Sequence, residues 1–209
     1  MAKAKIIHFY ILCFFVCSSA ISQSDIKSAP QPPKGELATH GTTVRVPPSG
    51  ARGLQRDCLR ELYLSQVGVR EVGGNNRGPH VKMYLNSVGL GESYPWCAAF
   101  VSWCFQQVEI EAPISAWVPS FALRDKMVYK QGKVLKRLPK YGDVLLIWFK
   151  KLKRPAHIGF IDEWGEKWII SVEGNTNDDG SREGDGVYRK RRLKRQIWAV
   201  SNFINDESK

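Results

Sequence analysis

Histidine and cysteine are scarce in this chain: its 209 residues include four histidines and five cysteines. Apart from Cys13 and Cys17, which lie in an apolar N-terminal stretch, none of them are paired at the spacing that zinc ligands require. The polar loop at residues 175–186 resembles a calcium loop only in part, because its first position is Asn175 and its twelfth is Gly186 rather than a bidentate glutamate. The sequence therefore predicts neither a metal site nor a cofactor.

The sequence also has little apolar length at its start. The almost unbroken apolar stretch at residues 6–17 is shorter than the roughly 20 residues that a membrane-spanning helix needs. Lys3 and Lys5 precede this stretch, and the small residues Ser18-Ser19-Ala20 follow it. This order predicts a secretory signal peptide at residues 1–22 and a periplasmic or extracellular location. A retained membrane anchor is the alternative.

Acidic residues are outnumbered, with 20 Asp and Glu against 31 Lys and Arg and a formal net charge of +11. Such a charge favours contact with polyanions. For an exported protein, an anionic wall or membrane surface is a simpler partner than nucleic acid, and we expect no nucleic-acid partner. The basic runs at residues 150–154 and 189–195 are interpreted as solvated strand ends.

Residues 23–50 are rich in Ser, Pro, Gly and Thr and predict a flexible linker. Residues 51–209 form the predicted catalytic domain. Helical periodicity follows residue 51, a second helix is expected to begin at Pro79, and a third to span residues 97–108. Short β-rich runs come afterwards, at residues 142–149, 157–162, 167–173, 187–190 and 197–203. Helices followed by strands predict an α+β fold with an antiparallel sheet.

Cleavage of the signal peptide would leave three cysteines, and only Cys97 has a distinctive setting. Cys58 lies in an amphipathic helix and Cys104 on the buried side of the third helix. Cys97 follows Pro95, which places it at or near a helix N-terminus, where unpaired amides favour a thiolate and can stabilise an oxyanion. Seven helical residues, roughly 10 Å, separate Cys97 from Cys104, too far for a disulfide. Any disulfide would join Cys58 to Cys104.

A cysteine nucleophile needs a histidine base and a polar group that orients it. His8 lies in the signal peptide, His40 in the linker and His80 in the first turn of a short helix. His157, at the start of an apolar strand, remains as the base. Two candidates stand at the end of the next strand: Glu173 and Asn175 alternate onto one face, and either side chain would accept a hydrogen bond from Nδ1 of His157.

Four motifs in order make the chain from about residue 54 to 203 resemble the CHAP family, the cysteine- and histidine-dependent amidohydrolase/peptidase domains of peptidoglycan hydrolases. They are Pro-Trp-Cys97-Ala-Ala-Phe-Val-Ser-Trp, Tyr141-Gly-Asp-Val-Leu-Leu-Ile-Trp, His157-Ile-Gly-Phe-Ile-Asp and Val172-Glu-Gly-Asn. The resemblance implies a papain-like fold, with Cys97 as nucleophile, His157 as base and then acid, and Glu173 and Asn175 as supporting groups.

The segment at residues 68–78 also resembles the N-terminal signature of a phage and bacterial CHAP subgroup. This implies that Glu71, Asn75 and Asn76 line the substrate cleft; a tight structural loop is the alternative. Trp96 is assigned to the cleft as well, with a core position as its alternative.

These observations predict an exported cysteine hydrolase that cleaves peptidoglycan amide bonds through a Cys97 acyl-enzyme. Both an N-acetylmuramoyl-L-alanine amidase and a peptide endopeptidase fit. The alternatives are an NlpC-type endopeptidase and a non-catalytic wall-binding or adhesin module, in which Cys97 is dispensable.

Overall fold

The computed structural model describes residues 52–178 and 183–204, so the predicted signal peptide and linker lie outside the described residues. Three α-helices come first in this part of the chain: α1 (Arg52–Ser65), α2 (Pro79–Asn86) and α3 (Cys97–Gln107). Pro79 opens α2, where its missing N–H leaves no helical hydrogen bond unmade. No described helix has the length and apolar character required to cross a membrane.

Seven strands follow and form one antiparallel sheet in the order β2-β1-β7-β3-β4-β5-β6. Their bounds are β1 (Met127–Lys130), β2 (Lys133–Val134), β3 (Val144–Phe149), β4 (Arg154–Trp164), β5 (Trp168–Thr176), β6 (Gly186–Leu193) and β7 (Ala199–Ser201). The predicted α+β class is confirmed, and the arrangement is compatible with a papain-like fold. The sequence did not predict β1 and β2, which are too short for an alternating pattern.

Apolar side chains cover both faces of the sheet. Leu145 belongs to one buried cluster, whereas its neighbours Val144 and Leu146 belong to another, as the two-residue period of a strand requires. The larger cluster includes side chains from the three helices. For example, the ring centre of Phe105 in α3 lies 5.3 Å from the ring centre of Phe160 in β4, edge to face. This packing fixes α3 against β4 and β5, the strands that carry the candidate catalytic groups.

The Tyr141-Gly-Asp motif holds α1 to the start of β3. Asp143 is completely buried, and its carboxylate accepts hydrogen bonds from Arg137 at 2.8 and 2.9 Å and from Arg56 at 3.2 Å. A buried carboxylate needs such partners because its desolvation is otherwise costly. This motif therefore serves the fold and lies apart from the chemistry.

Candidate active site

Cys97 is the first residue of α3, as predicted, and its side chain is a reduced thiol that is 5% exposed. The first hydrogen bond of the helix runs from the amide of Phe100 to the carbonyl of Trp96, at 2.9 Å. The amides of Cys97, Ala98 and Ala99 therefore precede the helical hydrogen-bond ladder. An anion that forms at the thiol or at a bound carbonyl oxygen would meet these donors.

His157 lies on β4, opposite Ile147 of β3. The register between the two strands shifts just beyond this pair, because the next residue of β3, Trp148, lies opposite Pro155. The imidazole is hydrogen-bonded to Glu173 and lies close enough to Cys97 for the thiol to influence its titration. Burial lowers the pKa of His157, but its interactions with Cys97 and with the carboxylate of Glu173 offset the burial and raise it to about 9. At neutral pH the imidazole is therefore protonated, with the carboxylate of Glu173 as its charge partner.

Glu173 is the group that orients His157. Its Oε2 lies 2.7 Å from Nε2 of the imidazole, not from Nδ1 as the sequence predicted. Because Nε2 is engaged by the carboxylate, Nδ1 is the nitrogen left for the thiol of Cys97. The difference has a geometric cause. β5 pairs with β4, so Glu173 lies beside Nε2 of His157, whereas Cys97 belongs to α3.

The carboxylate of Glu173 is completely buried and heavily bonded. Arg192 of β6 donates to both of its oxygens, and the hydroxyl of Ser171 donates to Oε1 at 2.5 Å. Burial raises the pKa of Glu173, but the hydrogen bonds from Arg192 and His157 reverse this and hold it well below its usual range. Glu173 is thus ionised at any pH at which the protein would work.

Arg192 was missed by the sequence reading, which interpreted the whole basic run at residues 189–195 as solvated. Its side chain is only 18% exposed because it stands opposite Ile169 of β5, on the face that carries Glu173. The neighbouring Arg191 is exposed. Alternate residues of a strand face opposite sides of the sheet, which was the available signal. Which of the two sets faces inward depends on the pairing register, and the sequence does not specify that register.

The hydrogen bonds of Asn175 go to Trp96, Glu71 and Asn76 rather than to His157, so the two predicted supporting groups have different tasks. A bulge between Glu173 and Thr176 interrupts the strand, and Asn175 adopts a left-handed φ of 54°. Its amide nitrogen donates to Oδ1 of Asn76 at 2.9 Å, and its Oδ1 lies 3.4 Å from the amide of Trp96. The broken alternation turns this side chain toward the start of α3.

Glu71 and Asn76 belong to the same network. Glu71 accepts hydrogen bonds from the indole of Trp96 at 2.8 Å and from the amide of Asn76 at 2.7 Å. Trp96 is completely buried and stacks on Tyr84, so it occupies the core position that was the alternative to its cleft assignment. Asn75 is exposed on the adjacent loop.

Cys97 borders an open pocket of about 300 Å³. Its other lining residues include Tyr94, Trp117, Val118, Arg154 and Ala156. The sequence placed Arg154 in the basic run at residues 150–154, which was interpreted as solvated, and no predicted motif contains Trp117. Only the fold brings both side chains beside the thiol. In residues 52–178 and 183–204, no cluster of three or more His, Cys, Asp or Glu side chains is placed to bind a metal ion.

The other sequence expectation about thiols concerned a Cys58–Cys104 disulfide. Cys104 is a free, completely buried thiol, and that bond is not formed. Burial raises the pKa of the Cys104 thiol well above its usual value, which makes it a core residue rather than a nucleophile.

Residues 89–175 match the family model of the CHAP domain, which confirms the resemblance drawn from the sequence. The matched range includes Cys97, His157, Glu173 and Asn175, whereas Arg192 lies beyond it. The match indicates a hydrolase of the amidase or peptidase kind. Comparisons with curated proteins and with solved structures gave no match.

Proposed function

Starting from a CHAP domain at residues 89–175, we propose that the protein is an exported cysteine hydrolase that cleaves amide bonds of peptidoglycan. One observation supports this most directly: Nε2 of His157 lies 2.7 Å from the buried carboxylate of Glu173, and the same imidazole interacts with Cys97. A nucleophile, a base and an orienting group in contact are the arrangement that covalent acyl transfer requires.

In the proposed reaction, the thiolate of Cys97 attacks the amide carbonyl, and a tetrahedral oxyanion forms beside the free amides of α3. The imidazolium of His157 then gives its proton to the leaving amine, which departs and leaves a thioester on Cys97. A water molecule loses a proton to His157 and attacks this thioester, which releases the acid and restores the thiol–imidazole pair.

Glu173 and Arg192 act on this cycle through His157. The carboxylate stabilises the imidazolium and fixes the ring, and the guanidinium keeps the carboxylate ionised and in place. Asn175, Glu71 and Asn76 hold the loop before α3 against the end of β5, which sets the direction of the helix start.

The experiment that tests the function compares wild-type protein with Cys97→Ala on purified peptidoglycan, with the soluble products identified by mass spectrometry. We expect products from the wild type only. Their masses distinguish an N-acetylmuramoyl-L-alanine amidase from an endopeptidase, including an NlpC-type specificity. Equal product release by the two proteins would refute the nucleophile assignment.

The net charge of +11 favours a second candidate, a wall-binding or adhesin module without catalysis. That function predicts that wild type and Cys97→Ala both sediment with insoluble wall and that neither releases fragments. The proposed location outside the cytoplasm is supported by the signal-like residues 1–22, and the N-terminal sequence of the mature protein tests it.

A further inference from the structure

The Cys97 pocket contains a positive charge held in a fixed position. Arg154 begins β4, three residues before His157, and lines the pocket together with Cys97. Its guanidinium carbon lies 4.0 Å from the centre of the Trp117 ring, which lines the same pocket. A guanidinium on an aromatic face keeps its edge N–H groups directed outward, where they are available to a ligand.

Arg154 has no acidic partner among the described residues. Five other described arginines form ion pairs with carboxylates: Arg56, Arg60, Arg137, Arg189 and Arg192. The hydrogen bond of Arg154 goes instead to the carbonyl of Pro155, at 3.2 Å. Its remaining N–H donors have no partner among the described residues, and the side chain lines the pocket that also contains Cys97.

The character of the pocket indicates which anion fits. Apart from Arg154, its lining is largely apolar and includes Leu90, Pro95, Ala116 and Val118. A single planar guanidinium matches a carboxylate in two parallel hydrogen bonds. A phosphate dianion requires more donors than one arginine supplies, and the surrounding apolar side chains offer none.

We propose that Arg154, stacked on Trp117, forms a subsite that binds a free carboxylate of the substrate next to the amide cleaved by Cys97. The proposal rests on the function proposed above and narrows its substrate class to acidic peptides. An amide whose neighbouring residue carries a carboxylate is anchored at Arg154 while its carbonyl lies at the start of α3.

The test compares soluble peptidoglycan fragments with the same fragments after carbodiimide and ammonia have converted their carboxylates to carboxamides. For the wild type, we expect kcat/KM to fall about tenfold or more on conversion, the loss typical of a hydrogen bond to a charged group. Arg154→Met keeps the side-chain stem but not the charge. In this variant, the ratio of kcat/KM for the acidic fragments to kcat/KM for the amidated fragments should fall toward one.

Arg191→Met is the matched control. Arg191 also lies over a tryptophan, 4.6 Å from the Trp168 ring centre, but it is outside the pocket, and its variant should keep the wild-type ratio. Arg154→Lys keeps the charge without the planar fork and should give an intermediate ratio. If Arg154→Met does not fold by circular dichroism, this lysine variant carries the comparison.

Two results separate the subsite from the proposed function. Cys97-dependent hydrolysis with equal rates on both substrates, or a preference that Arg154→Met retains, overturns the subsite alone. If the wild type hydrolyses neither substrate, the proposed function fails, and calorimetric binding to Cys97→Ala decides the subsite. Binding of the acidic fragments at least tenfold tighter than the amidated ones, lost in Cys97→Ala/Arg154→Met, supports it. Equal or undetectable binding overturns it.

Discussion

Replacing Glu173 with glutamine removes the negative charge beside His157 and keeps almost the same side-chain shape. The imidazole would still lie between Cys97 and a polar side chain, but no carboxylate would face Nε2. Arg192, which bonds to the same carboxylate oxygen as His157, would in addition lose its anionic partner and become an uncompensated positive charge. Both changes disfavour the imidazolium, so the pKa of His157 falls.

The magnitude follows from the shift that the site produces. The pKa of His157 is raised from 6.5 to about 9, which corresponds to roughly 3 kcal/mol in favour of the protonated ring. Burial opposes this rise, and the two acidic partners supply it. Loss of one neighbouring charge typically shifts a pKa by about 1 to 3 units. The variant should therefore titrate between about pH 6 and pH 8.

The assay is kcat/KM as a function of pH, on the soluble wall fragments. Wild-type activity should fall as the pH rises through about 9, because the deprotonated imidazole has no proton for the leaving amine. In Glu173→Gln this alkaline limb should move down by at least about one unit. Glu163→Gln, which changes an exposed carboxylate on β4, the strand that carries His157, is the control. If the alkaline limb of Glu173→Gln lies within about half a pH unit of the wild-type limb, the reasoning is refuted.

Three stability predictions concern the support of the site, and urea unfolding measures each. Arg192→Met should lower the free energy of unfolding by about 3 kcal/mol because it leaves the buried carboxylate of Glu173 without its arginine partner. Arg191 is exposed, and Arg191→Met should change the free energy of unfolding by less than about 0.5 kcal/mol. Similar values for the two variants would contradict the pairing. Gly174→Ala should lower the free energy of unfolding by about 1 to 3 kcal/mol, since the new Cβ would lie 2.7 Å from the Trp96 ring. An unchanged free energy of unfolding would show that the surrounding side chains relax freely. Glu71→Gln should cost about 1 to 2 kcal/mol if Glu71 is a structural clamp, while unchanged stability with a raised KM would return it to the substrate cleft.

Local signals carried most of the correct predictions about the fold. Pro79 and Pro95 mark the starts of α2 and α3, and short β-rich runs mark five of the seven described strands. Cys97 and His157 were identifiable as a pair because the chain offers so few thiols and imidazoles. Each of these inferences depends on residues close together in sequence or on a small count.

The remaining features depend on strand pairing, which a single sequence does not specify. Arg192 is one of several adjacent basic residues, and only the pairing of β6 with β5 turns it inward. Asn175 is turned away from His157 by a bulge that the sequence pattern does not mark. Arg154 reaches the pocket because β4 extends three residues before His157.

The order of the site residues along the chain has a consequence for folding. The thiol at Cys97 comes first, and its base, the base's carboxylate and the guanidinium follow on three consecutive strands, β4, β5 and β6. A slip of one residue between β4 and β5 would turn Glu173 to the opposite face and leave His157 without its charge partner. An unfolded or mispaired chain thus carries the nucleophile without the machinery that activates it. The proposed hydrolysis would therefore depend on the register of β4, β5 and β6, and a measurement of that activity would also be a measurement of strand register.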